Sequence, residues 1–527
     1  MLAAEPENHL LSRLSGVALG VACSLVFACG RLDIGSHGEA PLDQTGGQPS
    51  ATGGTTSSGS STGAGASPGA NGGAGGQSGA LGASGRASGQ SGTPGAGGGA
   101  SGKAGEAGSG NAGQGGTPEV VRVVELATGE YRNCVRLSNG RVRCWGWESG
   151  AGELGLARGP ESSFRIGDDE TPASAGDIDL GGRAIQLSVG DHSNCAVLDT
   201  GKVRCWGAHQ GLGYGNTNDI GDDEPPSAAG DLEIGRPVRQ VSAGPLRACA
   251  LLESGAVRCW GQNQYGVLGH PDVPDLAIIG DDELPYELGD VDVGGPVAQI
   301  ALGFAHACAV LTTGSLRCWG QGVHGALGYG NTNDIGDDET PASAGDVDVG
   351  GAVRQVAAGF YSTCVALVDG TVRCWGEQAP PQLGAPFPIG DDETPASVPA
   401  IEVGGRAVSV SVAPDRACAL LDTGHARCWG IGQFVALGYG NVENIGYDET
   451  PASAGDLELG GPVAQVGIES KHACALLQNG DVRCWGGSVD SNPGYLATVP
   501  LGLPFLQEAI GDDEFPDEFD PIEILDP

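Results

Sequence analysis

Hydrophobic and polar residues alternate in short stretches along this chain, and the most regular stretch is thirteen residues long and occurs seven times. Every copy begins with cysteine, has glycine near its middle and ends in Arg-Cys-Trp-Gly. The alternation predicts two strands, and glycine suits the tight loop between them because it adopts positive φ without strain. The predicted β-hairpins are Cys134–Gly146, Cys195–Gly207, Cys249–Gly261, Cys308–Gly320, Cys364–Gly376, Cys418–Gly430 and Cys474–Gly486.

Two cysteines in each copy are separated by nine residues. With a three-residue loop, as at 138–140, they face each other, and facing residues of antiparallel strands have Cα atoms about 4.5–5.5 Å apart. This distance suits a disulfide, whereas the spacing does not match that of zinc ligands. In an oxidising compartment we expect the pairs Cys134–Cys144, Cys195–Cys205, Cys249–Cys259, Cys308–Cys318, Cys364–Cys374, Cys418–Cys428 and Cys474–Cys484.

The first cysteines of the copies recur every 54 to 61 residues, which indicates a repeat architecture. Each period contains four strand-like pieces, which in the fourth copy are Asp290–Gly294, Pro296–Leu302, Ala307–Leu311 and Ser315–Trp319. Seven such repeats predict an all-β fold, a seven-bladed β-propeller with four-stranded blades.

The ends of the repeat region, residues 119–527, favour closure of the ring. The first copy starts at Val120–Leu126 and lacks the Asp-x-Asp strand that precedes the other copies, while the last residues, Asp520–Leu525, match that strand. We expect the C-terminal strand to pair with the first blade, because this pairing removes two free edges.

The N-terminal part of the chain has a different composition. Residues 1–29 resemble an export signal, with Arg13 before an apolar run too short for a permanent membrane span. Val26–Cys29 resembles a lipoprotein cleavage box, so we expect lipidation at Cys29, the alternative being an ordinary secretory signal. Residues 30–118 are mostly Gly, Ser, Ala and Thr, which predicts a disordered tether. The expected location is extracytoplasmic, as an envelope lipoprotein or a secreted protein.

Three recurring motifs resemble those of the regulator of chromosome condensation repeat family. They are exemplified by Gly303–Leu311, Gly370–Gly376 and Gly325–Gly330, and the resemblance covers 119–527. It implies a seven-bladed propeller whose termini share a blade. The family is functionally broad: its namesake is a nuclear exchange factor for a small GTPase, and a secreted bacterial member inhibits β-lactamases. Exchange activity is disfavoured here by the export signal and the acidic charge.

The formal net charge is −39, of which residues 1–118 contribute −2 and residues 119–527 contribute −37. Nucleic-acid binding requires clustered cations, so this class of function is excluded. Anionic lipid is disfavoured for the same reason, and we expect membrane attachment only through the N-terminal lipid. Protein and glycan partners remain, and we expect a monomer.

A second recurrent block, Ile-Gly-Asp-Asp-Glu, has two interpretations. Closely spaced carboxylates could hold Ca²⁺. Alternatively, the arginine before the second cysteine of each copy pairs with a carboxylate, and no metal is needed. We expect this structural role and no cofactor. The blocks begin at Ile166, Ile220, Ile279, Ile335, Ile389 and Ile510, with a variant at Ile445, and the arginines are Arg143, Arg204, Arg258, Arg317, Arg373, Arg427 and Arg483.

Function in a repeat protein is expected where the copies differ. The longest inserts between hairpin and acidic block are 147–165 and 487–509, and both lie beside the predicted ring closure. Their candidate partner-binding residues are Trp147, Phe164, Tyr495, Leu501, Leu503 and Phe505. These residues bind a partner or cover the seam between blades. The leading hypothesis is a non-enzymatic binding scaffold for a protein or glycan, with no catalytic residues, and the alternative is a glycan or peptidoglycan hydrolase that uses ring-face carboxylates.

Overall fold

A computed structural model describes residues 120–159, 164–377, 388–433, 436–487, 501–503, 510 and 513–525. They form seven antiparallel sheets, each built from strands that are consecutive in the chain. The first sheet contains β1 (Val123–Thr128), β2 (Arg132–Leu137), β3 (Val142–Glu148) and β4 (Phe164–Ile166); the second β5 (Ala184–Val189), β6 (Ser193–Leu198) and β7 (Val203–Gly207); the third β8 (Val238–Gly244), β9 (Arg247–Leu252), β10 (Val257–Gln262) and β11 (Ile278–Ile279); the fourth β12 (Val297–Leu302), β13 (His306–Leu311) and β14 (Leu316–Gly320); the fifth β15 (Val353–Ala358), β16 (Ser362–Leu367) and β17 (Val372–Gly376); the sixth β18 (Ala407–Ala413), β19 (Arg416–Leu421) and β20 (Ala426–Gly430); and the seventh β21 (Val463–Ile468), β22 (His472–Leu477) and β23 (Val482–Gly486).

Short helical turns follow the acidic blocks and begin with proline, which suits the first helical position because its missing N–H would have no partner there. These turns are α1 (Pro172–Ala175), α2 (Pro226–Ala229), α3 (Pro285–Leu288), α4 (Pro341–Ala344) and α5 (Pro451–Ala454), with 3₁₀ turns at Pro395–Ser397 and Pro516–Glu518. A further 3₁₀ turn is Val323–Gly325. None of the described helices is long and apolar enough to cross a membrane.

The hairpins have the register that the cysteine spacing predicts. In the first sheet Cys134 lies opposite Cys144, the Leu137 N–H donates to the Arg141 carbonyl, and Gly140 has φ of 81°. A disulfide joins the two cysteines of every copy, with Cα atoms 4.0–4.1 Å apart. Both sulfur-bearing residues are buried in every hairpin, so the bridges lie inside the sheets.

Each hairpin places its tryptophan in the core. The seven indole rings are buried, and five of them donate their N–H to a carbonyl in the insert of the preceding repeat, such as Trp260 to Gly211 at 2.9 Å and Trp319 to Val267 at 2.9 Å. These five hydrogen bonds join consecutive repeats, because each tryptophan that forms one bonds to the repeat before its own. The seven are Trp145, Trp206, Trp260, Trp319, Trp375, Trp429 and Trp485.

The first strands of consecutive sheets are joined by side-chain amides. Gln355 of β15 accepts a hydrogen bond from the Val410 N–H of β18 at 2.8 Å and donates to the Val410 carbonyl at 3.2 Å. Gln465 of β21 accepts from the Leu126 N–H of β1 at 2.7 Å, so the last sheet contacts the first. We call these contacts the amide brackets, and Gln186, Gln240 and Gln299 form them as well. At the same position, the carboxylate of Glu125 accepts from the Leu187 N–H, and Ser409 forms no such contact among the described residues.

The fourth strand of each blade differs from the prediction. Two sheets have four strands and five have three, and in those five the acidic-block isoleucine forms a single bridge with the third strand. The Asp-x-Asp segment does not begin the following sheet: Val291 pairs with Val257 of β10, in the sheet before. A hydrogen bond from the Val293 N–H to the Val291 carbonyl then turns the chain and prevents a longer strand.

The predicted pairing of Asp520–Leu525 with Val120–Leu126 is not among the strand pairs of the described residues. The Ile522 N–H instead donates to the Val482 carbonyl of β23, so the C-terminal segment lies at the outer edge of the seventh sheet. The prediction assigned each Asp-x-Asp segment to the sheet that follows it, whereas the segment pairs with the sheet that precedes it. The C-terminal segment still contacts the first repeat, because Arg143 donates to the Ile524 carbonyl at 2.5 Å.

Candidate binding face

One end of the seven sheets carries the most variable residues. Because neighbouring strands are antiparallel, the first and third strands of a sheet end at the same side, which brings together the loop after the first strand and the insert after the third. We call this end the insert face. Its short loops are 129–131, 190–192, 245–246, 303–305, 359–361, 414–415 and 469–471.

Aromatic rings gather on the insert face at the fourth and fifth repeats. Phe304 and Phe360 stack with centroids 3.9 Å apart, and Tyr361 stands edge-on to Phe360 at 4.7 Å with an interplanar angle of 84°. His324, from the fourth insert, lies 6.1 Å from the Tyr361 ring. All four side chains are half-buried. We call Phe304, His324, Phe360 and Tyr361 the aromatic patch.

Carboxylates border the aromatic patch. His324 Nε2 lies 2.7 Å from Glu377 Oε2. Burial, followed by the charges of Tyr265 and Glu377, raises the pKa of Tyr361. Burial also raises the pKa of Asp415 against the attraction of Arg416, with Glu377 adding repulsion. The patch therefore combines ring surface with negative charge.

A second group of carboxyls occupies the equivalent loops of the first, second and seventh repeats. We call Glu130, Asp191 and Glu469 the acidic cluster. Burial and then repulsion from Asp191 and Glu130 raise the pKa of Glu469 well above its usual value. Burial and Asp191 raise the pKa of Glu130, and burial raises that of Asp191 against the attraction of Arg132. Protonated carboxyls of this kind could act as general acids.

A buried carboxyl pair holds the first insert in place. Glu148 accepts hydrogen bonds from three backbone N–H groups within residues 150–154, at 2.7–3.0 Å. Burial and its contact with Glu153 raise the pKa of Glu148 to about 7. Burial acts to raise the pKa of Glu153 as well, but the hydrogen bond with Glu148 and the charge of Arg132 lower it to about 2. The pair is a structural support, since both side chains are buried.

The repeat boundaries agree with a known family model. The model of the regulator of chromosome condensation (RCC1) repeat matches residues 123–150, 238–267, 297–326, 353–378 and 463–491, and each match begins where the first strand of a sheet begins. This chain carries RCC1 repeats. Each matched repeat is thus one sheet of the fold, and the acidic blocks lie outside the matched segments.

Proteins with RCC1 repeats are similar over much of the chain. The ultraviolet-B receptor UVR8 of Arabidopsis thaliana is 25% identical over 398 residues, which are 74% of this chain and 83% of the receptor. The human E3 ubiquitin-protein ligase HERC2 is 27% identical over 245 residues, but these are 45% of this chain and only 5% of the ligase.

Solved structures show the same fold. Human WBSCR16 superposes with a TM-score of 0.51 and 18% identity, covering 68% of this chain and 87% of that one. Yeast RCC1 (Prp20), solved bound to Kap60, gives 0.50 and 18%, covering 66% and 78%. Because the identities are low, these similarities establish the fold alone.

The repeated arginines of the RCC1 repeats bind the Asp-x-Asp segments and not the acidic blocks. Arg143 pairs with Asp177 at 2.7 Å, and Arg317 pairs with Asp346 at 3.0 Å. Arg373 bonds to backbone carbonyls instead, because Ala400 occupies the position of the first aspartate of its segment. An arginine–carboxylate pair is thus present in five repeats, with the Asp-x-Asp segment in place of the acidic block for which it was predicted: Arg143–Asp177, Arg204–Asp231, Arg258–Asp290, Arg317–Asp346 and Arg427–Asp456.

The acidic blocks gather their own carboxylates. In five described blocks the three carboxyl groups have ligand atoms within 4.8 Å of one another, a spacing that a divalent cation could bridge. Burial and the neighbouring carboxylates raise the pKa of Glu170, Glu224 and Glu339 to about 7. A shared proton therefore relieves the repulsion within a block near neutral pH.

The insert residues predicted to bind a partner lie in different surroundings. Trp147 is half-buried and packs edge-on against Tyr131 at 5.7 Å, and Phe164 lies under Arg158 at 4.8 Å. Leu501 is buried and joins the core, while Leu503 packs partly against it. The predicted residues Tyr495 and Phe505, and the lipidation site Cys29, lie outside the described residues.

Proposed function

We propose that this chain is an extracytoplasmic, non-enzymatic binding propeller whose insert face docks a protein partner. The proposed closed ring of seven blades is supported by the amide bracket from Gln465 to Leu126 and by the contact of Arg143 with Ile524. Closure joins the first and seventh repeats into one surface, on which loops from all repeats meet.

Export is supported by the cysteines. Seven buried disulfides stabilise the hairpins, and disulfides persist in oxidising compartments and are rare in the cytosol. In the proposed arrangement Cys29 carries a lipid and residues 30–118 tether the propeller to the envelope. Fractionation of cells that express the full chain or Cys29→Ala tests this: the variant should move from the membrane fraction to the soluble fraction, and an unchanged distribution would exclude lipid anchoring.

The aromatic patch carries the proposal of binding. Four half-buried rings adjoin on one end of an otherwise acidic molecule, and aromatic residues are enriched among those that contribute most to protein interfaces. Yeast RCC1, which has the same fold, was solved with the protein Kap60. In the proposal, a protein partner of this chain binds to the aromatic patch on the insert face.

Affinity capture from envelope extracts tests the binding surface. The full chain is compared with Phe304→Ala/Phe360→Ala and with Val368→Ala, a control at an exposed apolar residue of a hairpin tip on the opposite end. We expect a partner to be captured by the wild type and the control and lost with the patch variant, whose fold is checked by its melting temperature. Equal capture by all three would reject the patch as the binding surface.

The acidic cluster favours hydrolysis as a second candidate, because its carboxyls have raised pKa values and could protonate a leaving group. A screen of glycan and peptidoglycan substrates with the full chain and Glu130→Gln/Asp191→Asn distinguishes the two functions. Activity on one substrate class that the double variant lacks would establish the enzyme; absence of such activity leaves binding.

A further inference from the structure

We infer that the ligand of the aromatic patch is a cationic polypeptide segment whose arginine or lysine side chains bind over its rings. This inference rests on the proposed function of the insert face and specifies the chemistry of its partner. It is carried by the geometry of the rings, by the charge around them, and by a comparison with two rings elsewhere on the same face.

The rings form a corner. Phe360 stacks on Phe304 while Tyr361 stands nearly perpendicular to it, so two ring planes meet at a half-buried site. A guanidinium or ammonium group is attracted to the face of an aromatic ring within about 6 Å of its centroid. The planar guanidinium also stacks on such a face, which favours arginine over lysine.

The charge around the corner is negative. No Lys or Arg occurs between Arg258 and Arg317, or between Arg317 and Arg354, so the third and fourth inserts contain none. Buried Arg247 lies beneath the patch, where its Nη1 donates to the Phe304 carbonyl at 2.6 Å, and is therefore committed to the backbone. The carboxylates of these inserts and of the neighbouring loops are Asp272, Asp275, Asp334, Glu377 and Asp415.

Two half-buried rings elsewhere on the same face are each contacted by a cation from the chain itself. Near the junction of the first and seventh repeats, the Lys471 ammonium lies 5.6 Å from the Tyr131 centroid, and in the first insert the Arg158 guanidinium lies 4.8 Å from that of Phe164. Within the part of the chain that the structure describes, no Lys or Arg lies over a ring of the aromatic patch. A cation from the partner would complete the same contact there.

A labelled hexa-arginine peptide, with hexa-glutamate as the control peptide, tests the inference on the full chain by fluorescence anisotropy. The Phe360→Leu/Tyr361→Leu variant keeps apolar bulk but removes the ring faces, and we expect it to weaken hexa-arginine binding at least about fivefold. Asp199→Asn/Glu253→Gln removes two exposed charges at hairpin tips on the opposite end and should change the affinity less than about twofold. Raising the salt concentration should weaken the binding, because ionic contacts are screened.

The inference would be overturned if Asp199→Asn/Glu253→Gln weakened hexa-arginine binding and Phe360→Leu/Tyr361→Leu did not. That result would show non-specific attraction of the peptide to an acidic protein. Binding of a neutral glycan, in a glycan array, that is lost with the rings and insensitive to salt would also overturn the inference. If the patch variants lose a captured partner but hexa-arginine does not bind the wild type, the proposed function stands and the cationic ligand is wrong. If neither effect occurs, both are wrong.

Discussion

Removal of one disulfide should destabilise the folded protein by a calculable amount. Cys308 and Cys318 face each other on β13 and β14, ten residues apart in sequence, and both are fully buried. In the chain-entropy treatment, a bridge that closes a loop of this length lowers the entropy of the unfolded chain by an amount worth about 2.7 kcal/mol at 25 °C. The hairpin retains its backbone hydrogen bonds, so Cys308→Ala/Cys318→Ala should lower the free energy of unfolding by about 2–3 kcal/mol.

Urea unfolding followed by tryptophan fluorescence measures this loss, because seven of the eight tryptophan side chains are buried in the folded protein. Val368→Ala, an exposed change at a hairpin tip, serves as the matched control and should leave the midpoint unchanged. The oxidised wild type should also resist thiol alkylation, even in denaturant, until a reductant is added. An unchanged midpoint in the double variant, or free thiols in the wild type purified from its native compartment, would contradict the reasoning and the proposed export.

Three further predictions follow from the contacts between and within repeats. Gln355→Ala removes both hydrogen bonds of the bracket to buried Val410 and should lower the free energy of unfolding, measured in urea, by about 1–3 kcal/mol. Ser409→Gln, at the position without a bracket, should raise the free energy of unfolding. Equal effects of the two changes would contradict a stabilising role of the brackets. Because the pKa values of carboxyls such as Glu469 and Glu170 are raised, the folded state binds more protons than the unfolded state between about pH 4.5 and 7. The melting temperature should therefore fall as the pH rises through this window, and the Glu469→Gln variant should show a smaller fall. A chelator should leave the melting temperature unchanged if the acidic blocks need no metal, and a drop restored by Ca²⁺ would instead establish a calcium site.

The hairpins could be predicted from the sequence because their determinants are local. Nine residues between cysteines and one glycine in the loop fix the register, and the structure pairs Cys134 with Cys144 accordingly. The assignment of the Asp-x-Asp segment could not be made in the same way. Its alternation of charged and apolar residues is equally compatible with the sheet before and the sheet after, and the choice depends on the Arg258–Asp290 pair and the turn at Val293.

The aromatic patch escaped prediction because its members are far apart in sequence. Phe304 and Phe360 follow glycines in short loops 56 residues apart, and neither lies in the long inserts to which the sequence drew attention. Alignment of the repeats provides the missing signal. The residue two positions after the first strand is aromatic in the fourth and fifth repeats and acidic in the first two. The long inserts instead contributed Leu501 to the core.

In the repeats that have an amide bracket, the bracket residue and the short loop after it are separate positions of the chain. The bracket residue, for example Gln299, lies three positions before the end of β12, while Phe304 of the aromatic patch follows that end by two. A side-chain change at the loop would alter the proposed binding surface and leave the bracket hydrogen bonds between the sheets in place. Recognition could therefore be reassigned blade by blade, either by evolution or by a designer who grafts loop dipeptides onto an untouched scaffold.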